Sequence, residues 1–416
     1  MHFGVIAPPV SGHLHPFGAL GRELMDRGHR VTLFHMSDLR ERVEKEELRF
    51  VGIGASDYPP GSLGETLAKL TRLQGWGALR FTIEAIRRTT EMLCRDAPAA
   101  IARAGVEALL VDQTEPAGGS IAERLGLPFI TVCNALLLHR EPDVPPPFTP
   151  WNYSGNRVAR PLHRLGYAVS DRIMAPVAHT VAKYRKRWNL PSQNDPEHSF
   201  SGLLQISQQP GAFDFPRRAL PSCFYYVGPL RRASNEQVPF PWDKLDGRPL
   251  VYASLGTLQN GKQRVFHCFA EACRGLDVQL VITHGGGLDA AAASSFPGDP
   301  LVVPYAPQLE LLSRASLTLT HAGLNTVLDS LTYGVPLVAT PITYEQPAIA
   351  SRVAWTGTGR VLPLSKLDAA TLRGHIADVL KNPAYARNAY GVQRSIVEAG
   401  GVRKAADLIE GALAVS

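Results

Sequence analysis

Leu301–Gln346 reads LVVPYAPQLELLSRASLTLTHAGLNTVLDSLTYGVPLVATPITYEQ, and this stretch decides the fold of the chain. Its three apolar runs, Leu301–Tyr305, Leu317–Thr320 and Pro336–Thr340, are short and rich in β-branched residues, as buried strands are. Polar residues follow each run, at the point where a parallel strand would end. Because open parallel sheets bind ligands beyond the carboxyl ends of their strands, the stretch predicts a ligand site at one sheet edge.

The second run leads through His321 into a helical pattern that ends at Gly334. His321, Asn325 and Thr326 are therefore predicted at a strand-to-helix turn, where free backbone N–H groups and the helix dipole favour an anion. Other groups near the strand ends complete a set for a ligand with a flat base, a ribose, a diphosphate and a sugar. They are Tyr305 as the aromatic, Gln308 and Asp329 as hydroxyl acceptors, and Glu345 with Gln346 as a carboxylate–amide pair.

The order and spacing of these residues resemble the nucleotide-sugar signature of the family 1 (UDP-glycosyl) glycosyltransferases. The matching elements are Tyr305-Ala306-Pro307-Gln308, His321-x-Gly323-x-Asn325-Thr326, Asp329 and Glu345-Gln346. The resemblance implies the GT-B fold, an α/β architecture of two Rossmann-like doubly wound domains facing across a cleft. Plant members usually carry Trp where this chain has Tyr305, and often Trp where it has Thr343. The first departure leaves uridine and thymidine donors open, and the second leaves the hexose open, with glucose preferred.

Length and composition suit two globular domains. A chain of 416 residues with 45% hydrophobic content is too long for one ordinary core. We expect an N-terminal acceptor-binding domain over residues 1–230, a linker rich in charge and Pro over 231–247, and a nucleotide-sugar-binding domain over 248–400. The resemblance implies that residues 401–416 form a helix returning to the first domain.

Charge and cysteine usage limit the classes of function. The net charge of +6 gives no reason to expect nucleic-acid binding. No apolar run approaches the ~18 residues needed to span a bilayer, and the N-terminus is typical of a first strand and not of a signal peptide. The five scattered cysteines are typical of buried thiols in a reducing cytoplasm. A monomer is expected.

Residues 157–187 are locally basic, with Asp171 as the only acid. The usual interpretation of such a run is a solvated helical face. The alternative is peripheral contact with anionic lipid head groups.

The chain opens with a predicted βαβ unit: a strand over Phe3–Ala7, a loop over Pro8–Gly12, a helix from about Pro16 and a strand over Arg30–Phe34. His13 lies in the turn after the first strand and can act as a general base near neutral pH. Asp112, which ends the predicted strand Ala108–Asp112, is the best carboxylate partner for it. The resemblance implies the same roles. His15 is a competing base.

Two irregular or short-helical regions, residues 56–96 and 134–156, carry aromatic side chains that would line a pocket. The resemblance implies that these regions form the acceptor site, so we expect Trp76, Phe81, Phe148 and Trp151 to contact the acceptor, although ordinary packing between helices remains an alternative for each. Their apolar character favours a phenol, flavonoid, terpenoid or carotenoid alcohol. The segments 111–118 and 140–145 resemble the bacterial branch of the family that includes zeaxanthin glucosyltransferases.

The second domain opens with a predicted strand, Leu250–Ser254, followed by a turn of small residues and hydroxyls. Ser254 and Thr257 in this turn can approach a diphosphate closely.

These predictions combine into a metal-independent, inverting transfer of a hexose from a UDP-sugar co-substrate to an acceptor hydroxyl. No metal ligand and no other cofactor are expected, since the chain contains no Asp-x-Asp. The alternatives are a GT-B epimerase acting on the nucleotide sugar alone and a non-catalytic nucleotide-sugar-binding subunit.

Overall fold

The computed structural model describes residues 1–73, 75–193, 195–232, 238–257 and 259–414. Its helices are α1 Ser11–Asp26, α2 Arg40–Lys45, α3 Ser62–Arg72, α4 Gly75–Ala104, α5 Gly118–Leu125, α6 Arg160–Arg187, α7 Gln263–Cys273, α8 Ala290–Ala293, α9 Gln308–Leu312, α10 Leu324–Thr332, α11 Gln346–Trp355, α12 Ala369–Lys381, α13 Pro383–Ala399 and α14 Gly401–Ala414. Residues 233–237 of the expected linker lie outside the described residues.

The first sheet has seven parallel strands in the order β3-β2-β1-β4-β5-β6-β7. They are β1 His2–Ile6, β2 Arg30–Met36, β3 Arg49–Ile53, β4 Ala108–Asp112, β5 Phe129–Cys133, β6 Leu204–Ser207 and β7 Phe224–Tyr226. Every residue of β1 and β4 is buried, as expected when helices cover both faces of a parallel sheet.

The second sheet has six parallel strands in the order β10-β9-β8-β11-β12-β13. They are β8 Leu250–Ser254, β9 Gln279–Thr283, β10 Leu301–Val303, β11 Ala315–Thr320, β12 Leu337–Ala339 and β13 Gly359–Val361. The two doubly wound sheets confirm the α/β class and the Rossmann-like architecture predicted from the sequence.

Each sheet reverses its strand order at one point, and both reversals carry the predicted polar residues. In the first sheet the reversal lies between β1 and β4, which pair through Phe3 and Ala108. In the second sheet it lies between β8 and β11, which pair through Ser254 and Thr320. A reversal of strand order leaves a crevice at the carboxyl ends of the two central strands, where open α/β sheets bind ligands, so each sheet offers one half of the candidate site.

The predicted start of the first helix is wrong. α1 begins at Ser11, so Gly12 and His13 lie in its first turn and Pro16 lies inside it. Proline has no N–H, so it cannot make the helical hydrogen bond to the carbonyl four residues earlier, that of Gly12. The Gly12 carbonyl is therefore free for another donor.

The prediction of only short helices between residues 56 and 96 is also wrong. α3 is short, but α4 is one continuous helix of 30 residues that passes through Pro98. Its C-terminal part, including Met92, Leu93 and Ile101, is buried in the core of the first sheet. That packing outweighs the local cost of the proline.

The two sheets are joined by buried contacts. Arg352 of α11 donates two hydrogen bonds to Asp214, at 2.9 and 2.8 Å, and both side chains are almost fully buried. Leu136 and Phe213 pack in one cluster with residues of α10, α11 and α13. At the end of the chain α14 packs on α1, and Val402 and Ile409 join the core of the first sheet.

Candidate active site

His13 and Asp112 form a hydrogen-bonded pair at the reversal point of the first sheet. The distance from His13 Nδ1 to Asp112 Oδ2 is 2.8 Å, and the imidazole is 18% exposed whereas the carboxylate is 0% exposed. β1 and β4 are neighbours, so the turn after one strand meets the end of the other. His13 Nε2 has no hydrogen-bond partner within the described part of the chain, and this atom remains for a ligand.

Asp112 is held in place by several donors. Its Oδ1 accepts hydrogen bonds from the Thr114 N–H at 2.9 Å and the Thr114 hydroxyl at 2.6 Å, and its Oδ2 accepts one from Asn134 Nδ2 at 3.0 Å. Burial raises the pKa of Asp112, but the charge and hydrogen bond of His13 outweigh it, so the pKa is lowered. Burial likewise lowers the pKa of His13, and the charge and hydrogen bond of Asp112 outweigh that effect, so the pKa is raised.

His15 has a different partner. Its Nδ1 lies 2.5 Å from Glu46 Oε1, and its side chain is largely exposed. In a helix, residues two apart lie on different faces, so His15 points away from the side where His13 meets Asp112.

Glu115 is a buried carboxyl near this pair that sequence reasoning missed. Burial, and then the charge of Asp112, raises its pKa to about 8, so the group is protonated at neutral pH. The only signal in the sequence was its position three residues after Asp112.

The predicted anion site, formed by His321, Asn325 and Thr326, lies at the reversal point of the second sheet. We refer to these three residues as the anion seat. β11 ends at Thr320, Ala322 adopts a left-handed conformation with φ of +64°, and α10 begins at Leu324. The free N–H groups of α10 therefore face the crevice, with Gly323 as N-cap and Thr326 in the first turn. A non-glycine residue at positive φ is strained, and such strain is typical of ligand-binding turns.

His321 packs closely against two glycines at this turn. A Cβ atom added to Gly256 would lie 2.8 Å from His321 Cε1, and one added to Gly323 would lie 2.6 Å from its Nε2. Burial lowers the pKa of His321 to about 4, so the imidazole is neutral at pH 7. It can donate a hydrogen bond to an anion but adds no positive charge.

Gln308 and Asp329 are in direct contact. Gln308 Nε2 donates to Asp329 Oδ2 at 2.7 Å, and Gln308 Oε1 accepts from the Tyr252 hydroxyl at 3.0 Å. Asp329 Oδ1 accepts a 2.7 Å hydrogen bond from Arg231 Nε. Arg231 was missed in the sequence because it lies in the expected linker, far along the chain from Asp329.

Two of the residues predicted to bind the nucleotide sugar connect the two sides of the cleft. Asn325 Nδ2 donates to the Gly12 carbonyl at 2.8 Å, and Asn325 Oδ1 accepts from Gln208 Nε2 at 3.0 Å. Glu345 Oε2 accepts from the Leu136 N–H at 2.9 Å. Burial raises the pKa of Glu345, with the Leu136 hydrogen bond acting against it. These contacts bring the His13 turn and the anion seat together.

The other residues predicted to bind the nucleotide sugar lie around the reversal point of the second sheet. Tyr305 is exposed, and its hydroxyl donates to the Gly285 carbonyl at 3.3 Å. Ser254 is buried at the end of β8, Thr257 is exposed in the following turn, and Ala306 is half-buried. Gln346 Oε1 accepts from the N–H groups of Ile342 and Thr343, so this side chain shapes its own loop.

The four predicted acceptor aromatics do not form one cluster. Trp76 is exposed on α4, and Phe81 lies on the same helix with Lys69 Nζ 5.0 Å from its ring centre. Phe148 is exposed, whereas Trp151 stacks on His163 of α6 at a ring-centre distance of 6.1 Å. Tyr344, which sequence reasoning missed, approaches Thr82 of α4 from the second domain.

The described residues contain no group of three His, Cys, Asp or Glu side chains arranged to hold a metal ion. Within the same ranges, no helix has the length and apolar character required to cross a membrane.

Comparison with known proteins gives a consistent result. A family model described as "UDP-glucoronosyl and UDP-glucosyl transferase" matches residues 196–396, and one described as "Glycosyltransferase family 28 N-terminal domain" matches residues 11–134. A zeaxanthin glucosyltransferase of Pantoea ananas is 36% identical over 412 residues, which cover 98% of this chain and 95% of that protein. A second, from Pseudescherichia vulneris, is 37% identical over 419 residues, covering 100% and 98%.

Solved structures show the same fold at lower identity. The kitacinnamycin glycosyltransferase superposes with a TM-score of 0.75 at 21% identity, covering 99% of this chain and 98% of that one. A calicheamicin glycosyltransferase gives a TM-score of 0.74 at 23% identity, with coverage of 99% and 98%.

Proposed function

The chain belongs to the family 1 UDP-glycosyltransferases, and from this premise we propose that it moves a hexose from a UDP-sugar to a hydroxyl of a hydrophobic acceptor, giving a β-glycoside. The observation that carries the proposal is the His13–Asp112 pair, held against the anion seat by the Asn325–Gly12 hydrogen bond. One side of the cleft supplies a base, and the other supplies hydrogen-bond donors for a leaving diphosphate.

The chemical step follows from the free His13 Nε2. This nitrogen takes the proton of the acceptor hydroxyl, and the oxygen forms a bond to the anomeric carbon of an α-linked sugar. The bond from that carbon to the diphosphate oxygen breaks, and its electron pair leaves with the nucleotide. Asp112 holds the Nδ1–H and stabilises the imidazolium that forms. Attack opposite the leaving group inverts the anomeric centre.

The nucleotide half of the cleft is suited to a diphosphate leaving group without a metal. The N–H groups of α10, neutral His321 and the hydroxyls of Ser254 and Thr257 would stabilise the charge that develops on the diphosphate. Gln308 and Asp329 would bind the ribose, with Arg231 as a positioning residue for Asp329. Tyr305 would stack on the base. We take uridine and glucose as the donor groups.

Glu345 and Gln346 would orient the sugar by binding its hydroxyls. Their present hydrogen bonds, to the Leu136 N–H and within the Ile342–Gln346 loop, hold both side chains at the junction of the two domains. Binding at this junction would put the anomeric carbon between the nucleotide half and His13.

The acceptor we propose is a carotenoid alcohol, such as zeaxanthin. The support is the 36% and 37% identity to zeaxanthin glucosyltransferases over nearly the whole chain. Trp76, Phe81, Phe148 and Trp151 would line its path. The enzyme would act as a monomer in the cytoplasm, where its five free cysteines stay reduced, without a cofactor besides the co-substrate and with peripheral membrane contact.

The test is UDP release from UDP-glucose in the presence of zeaxanthin and, in parallel, a panel of phenols. His13→Ala should lower transfer about 10²- to 10⁴-fold while UDP binding stays nearly unchanged. The matched control is His15→Ala, which should keep the full rate. Nucleotide binding without UDP release under any acceptor would instead identify a binding subunit, and full activity of His13→Ala would assign the base elsewhere.

A further inference from the structure

The first half of α6, with the turn before it, exposes a stripe of apolar side chains. Val158, Leu162, Leu165 and Val169 are 80%, 47%, 61% and 48% exposed. Their spacing of four, three and four residues places them along one side of a helix. We refer to these four residues as the α6 stripe. A contiguous apolar stripe on the surface indicates an interaction site, whereas scattered exposed residues do not.

The opposite side of the same helix is packed and fixed in position. His163 and Tyr167 are buried, and His163 Nδ1 lies 3.0 Å from the Pro142 carbonyl. Further along, Arg185 is buried and bonds to Glu123 at 2.9 and 2.8 Å. The helix is thus anchored to the first domain, and the stripe is its outer side.

Positive charge borders the stripe. Arg157, Arg164 and Arg172 are exposed and form no ion pair with any residue that the structure describes. The only acid of the segment, Asp171, is held by Arg140. No direct ion pair therefore neutralises these three arginines, although the charge of Arg157 helps to lower the pKa of the nearby Asp143 carboxyl.

An apolar helix side bordered by unpaired arginines has the composition of an interfacial helix that lies in the head-group region of a membrane. From these observations we propose that the α6 stripe docks the protein onto an anionic phospholipid bilayer. The apolar side chains enter the acyl boundary, and the three arginines meet lipid phosphates. A second copy of this chain is a poorer occupant, because pairing this side with itself would bring arginines against arginines.

The docking would matter for catalysis in one way, and this step rests on the proposed function. A carotenoid alcohol resides in the bilayer, so an enzyme held at the surface takes its acceptor directly from the lipid. Residues 134–156, proposed to line the acceptor path, lead directly into α6. The membrane contact would therefore lie beside the acceptor entrance.

Vesicle co-flotation tests the docking without any substrate. Wild-type protein should float with vesicles of equal parts phosphatidylglycerol and phosphatidylcholine, and bind at least about tenfold more weakly to phosphatidylcholine alone, since each arginine near an anionic surface adds roughly fivefold in affinity. Leu162→Ser/Leu165→Ser/Val169→Ser should lose flotation by about tenfold or more, and Arg157→Gln/Arg164→Gln/Arg172→Gln should lose it only on the anionic vesicles.

The matched control is Tyr390→Ser/Val397→Ser on α13, which removes two other exposed apolar side chains. It should float like wild type. Circular dichroism and UDP binding report whether each variant is folded. Equal flotation of wild type and the stripe variant, loss of flotation only in the α13 control, or a concentration-dependent dimer abolished by the stripe variant would each overturn the proposal. Because flotation needs no turnover, it stays interpretable even if no acceptor is glycosylated.

Discussion

The side-chain amide of Asn325 donates a 2.8 Å hydrogen bond to the backbone carbonyl of Gly12, across the cleft and one residue before His13. The acceptor is available because Pro16 lacks the N–H that would otherwise bond to this carbonyl within α1. A proline in one domain and an asparagine in the other thus produce one contact, and this contact joins the proposed base to the proposed leaving-group site.

Asn325→Ala should lower kcat roughly five- to tenfold, because a neutral hydrogen bond contributes about 1 kcal/mol and this one positions the His13 turn. UDP affinity should fall by less, as measured by titration calorimetry. Asn388→Ala is the matched control, since it removes a 3.0 Å amide-to-carbonyl bond, to Gly357, away from the cleft. Equal losses in kcat and UDP affinity would indicate that Asn325 acts only through the nucleotide.

Pro16→Ala should separate stability from activity. It restores the helical N–H that competes for the Gly12 carbonyl, and an interior proline costs a helix up to about 3 kcal/mol relative to alanine. The variant should therefore melt at a higher temperature while its kcat falls, as measured by calorimetry and by UDP release. A higher melting temperature with unchanged kcat would show that the contact with Asn325 does not matter for the reaction.

The acid limb of the pH profile should depend on Asp112. His13 must be neutral to accept a proton, and its pKa is raised because the charge and hydrogen bond of Asp112 outweigh burial. In wild type, kcat/KM should fall as the pH drops through a value above 6.5, the ordinary pKa of histidine. Asp112→Asn should move this limb to lower pH and reduce the plateau about 10²- to 10⁴-fold.

Thr114→Val is the control for that profile. It removes the 2.6 Å hydroxyl hydrogen bond to Asp112 Oδ1 but keeps the carboxylate charge. In this variant kcat/KM should still fall as the pH drops through a value above 6.5. Its plateau value should be less than about tenfold below that of wild type. If kcat/KM of Asp112→Asn falls at the same acid pH as that of wild type, a group other than the His13–Asp112 pair determines this pH dependence.

The contrast between residues that could and could not be predicted has a physical basis. His13 and Asp112 were predictable because His13 lies in the first turn of the helix that follows β1 and Asp112 ends β4, and parallel strands end at one edge. Arg231 and Gln208 were not, because their partners Asp329 and Asn325 lie 98 and 117 residues further along the chain, and no periodicity indicates such a contact. The predicted start of α1 was wrong because a proline is common in the first turn of a helix, and Pro16 was assigned to that turn. In the structure Pro16 lies inside α1, and the Gly12 carbonyl that it leaves without a helical donor accepts a hydrogen bond from Asn325.

Gly256→Ala should weaken nucleotide binding through His321. Gly256 has a φ of +67°, where a side chain costs about 1–2 kcal/mol, and its new Cβ would lie 2.8 Å from His321 Cε1. The imidazole must move from the anion seat, so UDP affinity should fall by about tenfold or more. Gly202→Ala is the control, because nothing lies within 4 Å of the added atom. Unchanged UDP affinity in Gly256→Ala would exclude His321 from the phosphate site.

Glu115→Gln should stabilise the protein at alkaline pH. The pKa of Glu115 is about 8 in the folded chain, because of burial and then the charge of Asp112, and about 4.3 in an unfolded chain. Between these values the unfolded carboxyl is ionised and the folded one is protonated, so stability falls as pH rises and levels off above about 8. The upper limit of this loss is roughly 5 kcal/mol, at about 1.4 kcal/mol for each pKa unit.

The glutamine variant cannot ionise and escapes this loss. Its melting temperature should therefore exceed that of wild type by a margin that widens between pH 5 and 8, measured by calorimetry in matched buffers. Glu41→Gln, an exposed carboxyl on α2, should show no such trend. A variant less stable than wild type at every pH would mean that Glu115 is charged and partnered in the folded protein. A margin that widens as expected would identify Glu115 as a neutral acid beside the proposed catalytic pair.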